Sequence, residues 1–182
     1  MEIKNLGGLT YLLKGKKESV LIDPDSVKIA KNQSRIIIYT EAKYEELRMV
    51  DEKVSIMGPG EYEIGGVEVN GFSGGKGKTI YTILIDGVIV AIMGKLDEEL
   101  NEKRSDKISG IDVLLAEVGN GYKSIAAAAK KWGANYIVPV DGSGEELKKF
   151  LDEADCEGQE AVESLKVDKD NLPDGMEIVV LK

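Results

Sequence analysis

The run Thr40-Glu41-Ala42-Lys43-Tyr44-Glu45-Glu46 follows directly on the apolar stretch Ile36-Ile37-Ile38-Tyr39. In α/β folds the residues just past a strand's C-terminal end are where ligands and reacting groups gather. Glu41, Glu45 and Glu46 offer carboxylates that could act as a general base or as ligands for a hard ion, and Lys43 offers a fixed positive charge. Chemistry at this place therefore rests on carboxylates and ammonium groups.

Much else is excluded by composition. Histidine is absent from all 182 positions, which removes the usual general base, the usual zinc ligand and every Ser-His or Cys-His pair. Cys156 is the one cysteine. It has no cationic neighbour to lower its pKa, so it reads as an incidental thiol suited to a reducing compartment. The net charge of −9 disfavours nucleic acid as a partner, because phosphate binding needs a basic face. The stretch "MEIKNLGG" carries no apolar signal core, and the longest apolar run, "VIVAIM" at 88–93, is too short to span a bilayer. The expectation is a cytoplasmic protein with no membrane or nucleic-acid partner.

Two local patterns resemble anion sites and fail on inspection. "GFSGGKGKT" at 71–79 would be a phosphate-binding loop only with glycine at 72, where Phe72 stands, and it leads into the strand-like "TIYTILI" instead of a helix. Tyr122, Lys123 and Ser124 open the helical run "YKSIAAAAKKWG". The favoured reading there is a capped surface helix that packs its alanines on a sheet.

The elements that must position any site are legible from periodicity. "MEIKNL", "LTYLLKG", "SVLIDP" and "RIIIY" read as successive strands, and "KVSIMGPGEYEIGGVEVNGF" as short strands punctuated by glycine. "KTIYTILIDGVIVAIMG" has the form of a hairpin turning at Asp86-Gly87. Farther on, helix-like "LDEELNEKRSDKI" precedes the strand "IDVLLAEV". The helix "KSIAAAAKKWG" precedes the strand "NYIVPV", and "SGEELKKFLDEA", with Ser143 at its N-cap, is followed by "VESLKV" and "MEIVVLK" as final strands. An early antiparallel or mixed sheet and a later alternation of strands and helices predict one α/β domain over residues 1–182.

Taken together, "LTYLLKGKKESVLIDP", "GPGEYEIGGVEVNGF", "TIYTILIDGVIVAIMG", "IDVLLAEVGNGY", "YIVPVDG" and "LPDGMEIVVLK" resemble, in order, the metallo-β-lactamase fold. The subgroup resembled is that of small zinc-dependent hydrolases related to ascorbate-6-phosphate lactonases. The resemblance implies a four-layer α/β/β/α sandwich with its site where loops of the two sheets meet. In the family the segment after the fourth strand reads T-H-x-H-x-D-H. Here Glu41, Lys43 and Glu46 replace the histidines and Glu45 the aspartate. Ser73 is the polar residue nearest to where a further histidine belongs, Lys95 stands for the metal-bridging aspartate, and Asp141 for the last histidine. Asp23, in "LIDP", keeps a family residue whose role is structural.

These substitutions lead to the expectation of a protein without zinc or any other cofactor. Lys95, aided by Lys43, would replace the metal's charge and pair with Glu45 and Asp141. The chain would then be a binding or scaffold protein for an unidentified protein or small molecule, with homo-oligomers compatible with the resemblance. The alternative is a hydrolase of a small phosphorylated or lactone-like substrate, in which Glu41 or Glu45 is the base and Lys95 stabilises the oxyanion. A module that docks an acidic face on a basic partner is the third reading.

Overall fold

The computed structural model describes residues 1–26, 34–41, 53–96, 105–141, 145–156 and 158–182. The runs at 36–39 and 88–93 are apolar almost without interruption because their strands are covered on both faces. In β4 (Ile36–Tyr39), Ile36 and Ile38 enter the core between two sheets, whereas Ile37 and Tyr39 face outward into a smaller cluster with Leu12 and Leu21. In β9 (Val88–Met93), Val88, Val90 and Ile92 join the same central core, and Ala91 and Met93 face the helices. A two-residue period thus serves two interfaces at once.

The first sheet contains β1 (Glu2–Gly7), β2 (Thr10–Lys14), β3 (Ser19–Ile22), β4, β5 (Val54–Met57) and the short β12 (Leu165–Lys166), in the order β12-β1-β2-β3-β4-β5. The second contains β6 (Gly60–Ile64), β7 (Val67–Gly75), β8 (Lys78–Ile85), β9, β10 (Val113–Glu117), β11 (Tyr136–Val140) and β13 (Glu177–Ile178), in the order β13-β11-β10-β9-β8-β7-β6. Both are mixed. Strands β3, β4 and β5 run parallel, as do β9, β10, β11 and β13.

Of the helices, α1 (Tyr122–Trp132) and α2 (Glu145–Glu153) are described. Ile125, Ala128, Ala129 and Trp132 of α1 and Phe150 of α2 pack on the outer face of the second sheet. Alanine is small enough to bring the helix close to the strands. Gly133 ends α1 in a left-handed conformation, φ 84°, which glycine adopts without steric cost. Among the described residues no helix is long and apolar enough to cross a membrane.

The hairpin expected at Asp86-Gly87 joins β8 to β9, with Ile85 opposite Val88. Both turn residues have positive φ, 52° and 82°, as a primed turn requires. The loop-like "GFSGGKGK" is also a hairpin: β7 runs through it to Gly75 and turns at Lys76-Gly77 into β8. The last strand is shorter than expected, and beyond β13 Leu181 forms an isolated bridge to Val162. No side chain caps α1, whose N-cap is Gly121; a glycine there lacks the oxygen that the capped-helix expectation assumed. Ser143 lies outside the described residues, as do positions 97–104 of the helix expected over 96–108.

Candidate functional site at the strand ends

Strand direction decides where chemistry can gather. Strands β9, β10 and β11 share one direction, so their C-terminal ends, carrying Gly94-Lys95, Glu117 and Asp141, lie along one edge. Strands β3 and β4 place Asp23 and Thr40-Glu41 on the matching edge of the other sheet. The two edges are joined directly. The Thr79 N–H donates to the Thr40 carbonyl at 2.8 Å, and Glu41 forms a bridge to Lys78. Since β8 starts where the antiparallel β9 ends, this seam closes one rim of the sandwich.

Asp23 organises the rim from below. It is 7% exposed and has φ 44°, a left-handed geometry that Asp tolerates better than most residues. Its Oδ1 accepts from the Thr40 N–H at 2.7 Å and its Oδ2 from the Thr40 hydroxyl at 2.6 Å. Its own N–H donates to the Ile38 carbonyl, and its carbonyl accepts from the Thr10 hydroxyl. The expected turn at "LIDP" is thus also a tie between β2, β3 and β4.

Glu41 is paired, but with a lysine that the sequence reading passed over. The Lys78 ammonium lies 3.4 Å from Glu41 Oε1 and donates to the Lys95 carbonyl at 2.6 Å. One ammonium therefore links the loop after β4 to the loop after β9. Lys95 does not pair with Asp141, contrary to expectation. Its side chain is exposed and lies across Gly119, where an added Cβ would meet Lys95 Nζ at 3.1 Å and Glu146 Oε2 at 3.2 Å. Its backbone N–H donates to Glu117 Oε2 at 2.9 Å. The physical reason is local. The loop turns so that the Lys95 backbone, not its side chain, faces the carboxylate of β10.

Asp141 accepts from the Leu147 N–H of α2 at 3.0 Å, so it helps to hold that helix. Ser73 is exposed on β7 opposite Thr79, and its hydroxyl accepts a long bond from the Gly75 N–H, 3.4 Å. Lys43, Glu45 and Glu46 lie outside the described residues. The site residues that the fold brings to one rim are thus Glu41, Lys95 and Asp141.

Three further residues complete the rim. Glu117 anchors Lys95, and Asn120 accepts from the Leu96 N–H while donating to the Gly94 and Glu117 carbonyls. Tyr11, 2% exposed, stands inside the rim. Burial pushes its phenol well above the usual tyrosine range, and the charge of Asp141 adds to the shift. Nothing in local periodicity distinguishes these residues. The polar Glu117 at the end of an apolar strand was the one available signal.

Among the described residues the donor set does not match the usual ligands of zinc. The chain supplies no imidazole, and among the described residues no group of three Cys, Asp or Glu side chains could hold a metal. The rim carboxylates are also committed, to Thr40, Lys78, the Lys95 N–H and the Leu147 N–H.

A family model described as a β-lactamase superfamily domain matches residues 2–141, and the chain belongs to that family, whose members share the metallo-β-lactamase fold. Solved structures agree over the whole length. A Thermotoga maritima protein regarded as a zinc-dependent hydrolase of the metallo-β-lactamase superfamily superposes with a TM-score of 0.79 at 20% identity, covering 100% of this chain and 98% of its own. The metallo-β-lactamase fold protein YhfI of Bacillus subtilis gives 0.63 at 11%, over 100% and 96%. An isothiocyanate hydrolase from Delia radicum gut bacteria gives 0.62 at 10%, over 92% and 99%. At such identities the likeness shows the fold. No curated protein matches.

Proposed function

We propose that this chain is a zinc-free, non-catalytic member of its hydrolase superfamily, a binding or scaffold protein of one domain working in the reducing cytoplasm. The observation that carries the reading is the Lys78 ammonium, held 3.4 Å from Glu41 and bonded to the Lys95 carbonyl. In the family, as the resemblance implies, the loops after β4 and β9 are tied through metal ligands. Here a side-chain cation ties the same two loops, and it cannot activate water as a divalent ion does.

Metal analysis of the purified chain, with thermal melts in zinc, in manganese and after chelation, tests this reading. The expected result is substoichiometric metal and superposable melts. Zinc at one equivalent, or a melting temperature raised by zinc, would refute it.

The exposed Lys95 ammonium, in no ion pair among the described residues, favours a second reading as a hydrolase of a small phosphorylated or lactone-like substrate. In that case Lys95 stabilises the oxyanion and Glu45 is the base, Glu41 being occupied by Lys78. Turnover of such a substrate, lost in Lys95→Ala, would establish it. Silence across phosphate esters and lactones supports the first.

A further inference from the structure

Strand β6 ends the order of the second sheet and, among the described residues, pairs with β7 alone. The two strands join through Gly65 and Gly66, with φ 61° and 86°. In such a two-residue primed turn the flanking residues, here Ile64 and Val67, exchange hydrogen bonds. Bonded and non-bonded pairs alternate along an antiparallel ladder. Tyr62 therefore bonds to Val69 and Gly60 to Gly71, while the N–H and C=O groups of Glu61 and Glu63 point away from the sheet. No hydrogen bond from another described residue reaches them.

Side chains divide by the same alternation. Tyr62 and Ile64 pack against the core between the sheets, and Glu61 and Glu63 are exposed on the opposite face. Glu68 of β7, also exposed, stands directly opposite Glu63 in a non-bonded pair, where side chains come closest. Like charges so placed weaken a sheet. None of the three carboxylates forms an ion pair with a described residue. Arg35 is engaged by Glu18, whose carboxylate lies against Gly65 of the turn.

An unpaired edge selects its partner by what faces it. A second copy adding its own β6 in the antiparallel sense would bring Glu61 and Glu63 against the same residues of the other copy, and the charges repel. A strand with Lys or Arg opposite Glu61 and Glu63 instead sets its cations beside three carboxylates and pairs both outward backbone units. The residue between those cations falls beside Tyr62, on the apolar face, and must itself be apolar. We propose that β6 is the docking edge for an extended segment of a partner protein with a basic–apolar–basic alternation, added to the second sheet as a further strand. This goes beyond the reading above and uses no rim residue. Zinc in the metal analysis would overturn that reading and leave this edge standing.

The test is an amide NMR titration of the full chain with the end-blocked peptide Lys-Val-Lys-Val-Lys. Lys-Lys-Lys-Val-Val, with the same charge and no alternation, is the control. The expected result is a saturable downfield shift of the Glu61 and Glu63 amides, larger than at Tyr62 and Ile64, whose N–H groups already serve β7. The control peptide should leave those amides in place. The Kd should rise about three- to tenfold in Glu61→Gln/Glu63→Gln, and it should also rise with added salt. That variant changes exposed side chains and keeps the backbone edge. Glu63→Pro removes one outward N–H, a change that an edge strand accepts, and should abolish the shift at Glu61. Equal shifts with both peptides, or an unchanged Kd in the double glutamine variant, overturn the proposal. So does the absence of any shift at millimolar peptide, the result expected if the carboxylates serve only to keep copies apart. Shifts at Glu61 and Glu63 that grow with protein concentration alone make a second copy the occupant and overturn it too.

Discussion

Replacing Thr40 by valine would remove the hydroxyl that donates to Asp23 Oδ2 at 2.6 Å while keeping the side chain's shape. That distance lies in the range of charge-assisted O–H···O⁻ bonds, and Asp23 is only 7% exposed, so water does not readily replace the donor. A hydrogen bond to a charged group contributes about 1.5–3 kcal/mol. The Thr40 N–H still serves Oδ1, which keeps the expected loss inside that range. For a chain of this size it corresponds to roughly 3–12 °C in melting temperature. Urea unfolding followed by fluorescence of the one tryptophan, Trp132, buried at 1% exposure, would read the loss as a lower midpoint at unchanged slope. Thr40→Ser is the control, because it keeps the hydroxyl and gives up a methyl group worth about 0.8 kcal/mol. A valine variant within about 0.5 kcal/mol of wild type, or a serine variant equally destabilised, would show that the Asp23 tie does not organise the rim.

Other perturbations probe neighbouring parts of the same framework. Lys78→Met, Glu41→Gln and the double variant should give a coupling of about 0.2–1 kcal/mol that shrinks as salt rises; zero coupling would remove the ion pair from the account. Asp112→Asn should cost about 1.5–3 kcal/mol in a urea melt, because Asp112, 3% exposed, accepts from the Ile89 N–H at 2.8 Å and from Lys169 at 2.6 Å. Burial pushes the phenols of Tyr39 and Tyr81 up to about 12, with Asp23 contributing to both. Unfolded, they ionise near 10, so the stability they contribute is complete below about pH 10 and is lost as pH rises toward 12. Tyrosinate absorbance recorded beside circular dichroism should therefore show these two ionising only as the fold is lost. Ionisation near pH 10 in a folded protein would contradict their burial.

Local sequence determined the strands, the Asp86-Gly87 hairpin, the helix over 122–132 and the unsuitability of the chain for imidazole-ligated zinc. Each depends on short-range periodicity, turn chemistry or the mere presence of a residue type, and none requires knowing what lies across the molecule. Which side chains meet at the rim was decided by tertiary structure alone. Lys95 was the natural choice of cation because it occupies a family ligand position. Lys78, at the start of β8, instead reaches Glu41, because the antiparallel turn from β8 to β9 brings that strand's first residue to the same edge. Glu117, Asn120 and Tyr11 were illegible for the same reason. Strand-forming tendency belongs to a few neighbouring residues, whereas the partner of a carboxylate depends on the register and direction of strands far apart in the chain.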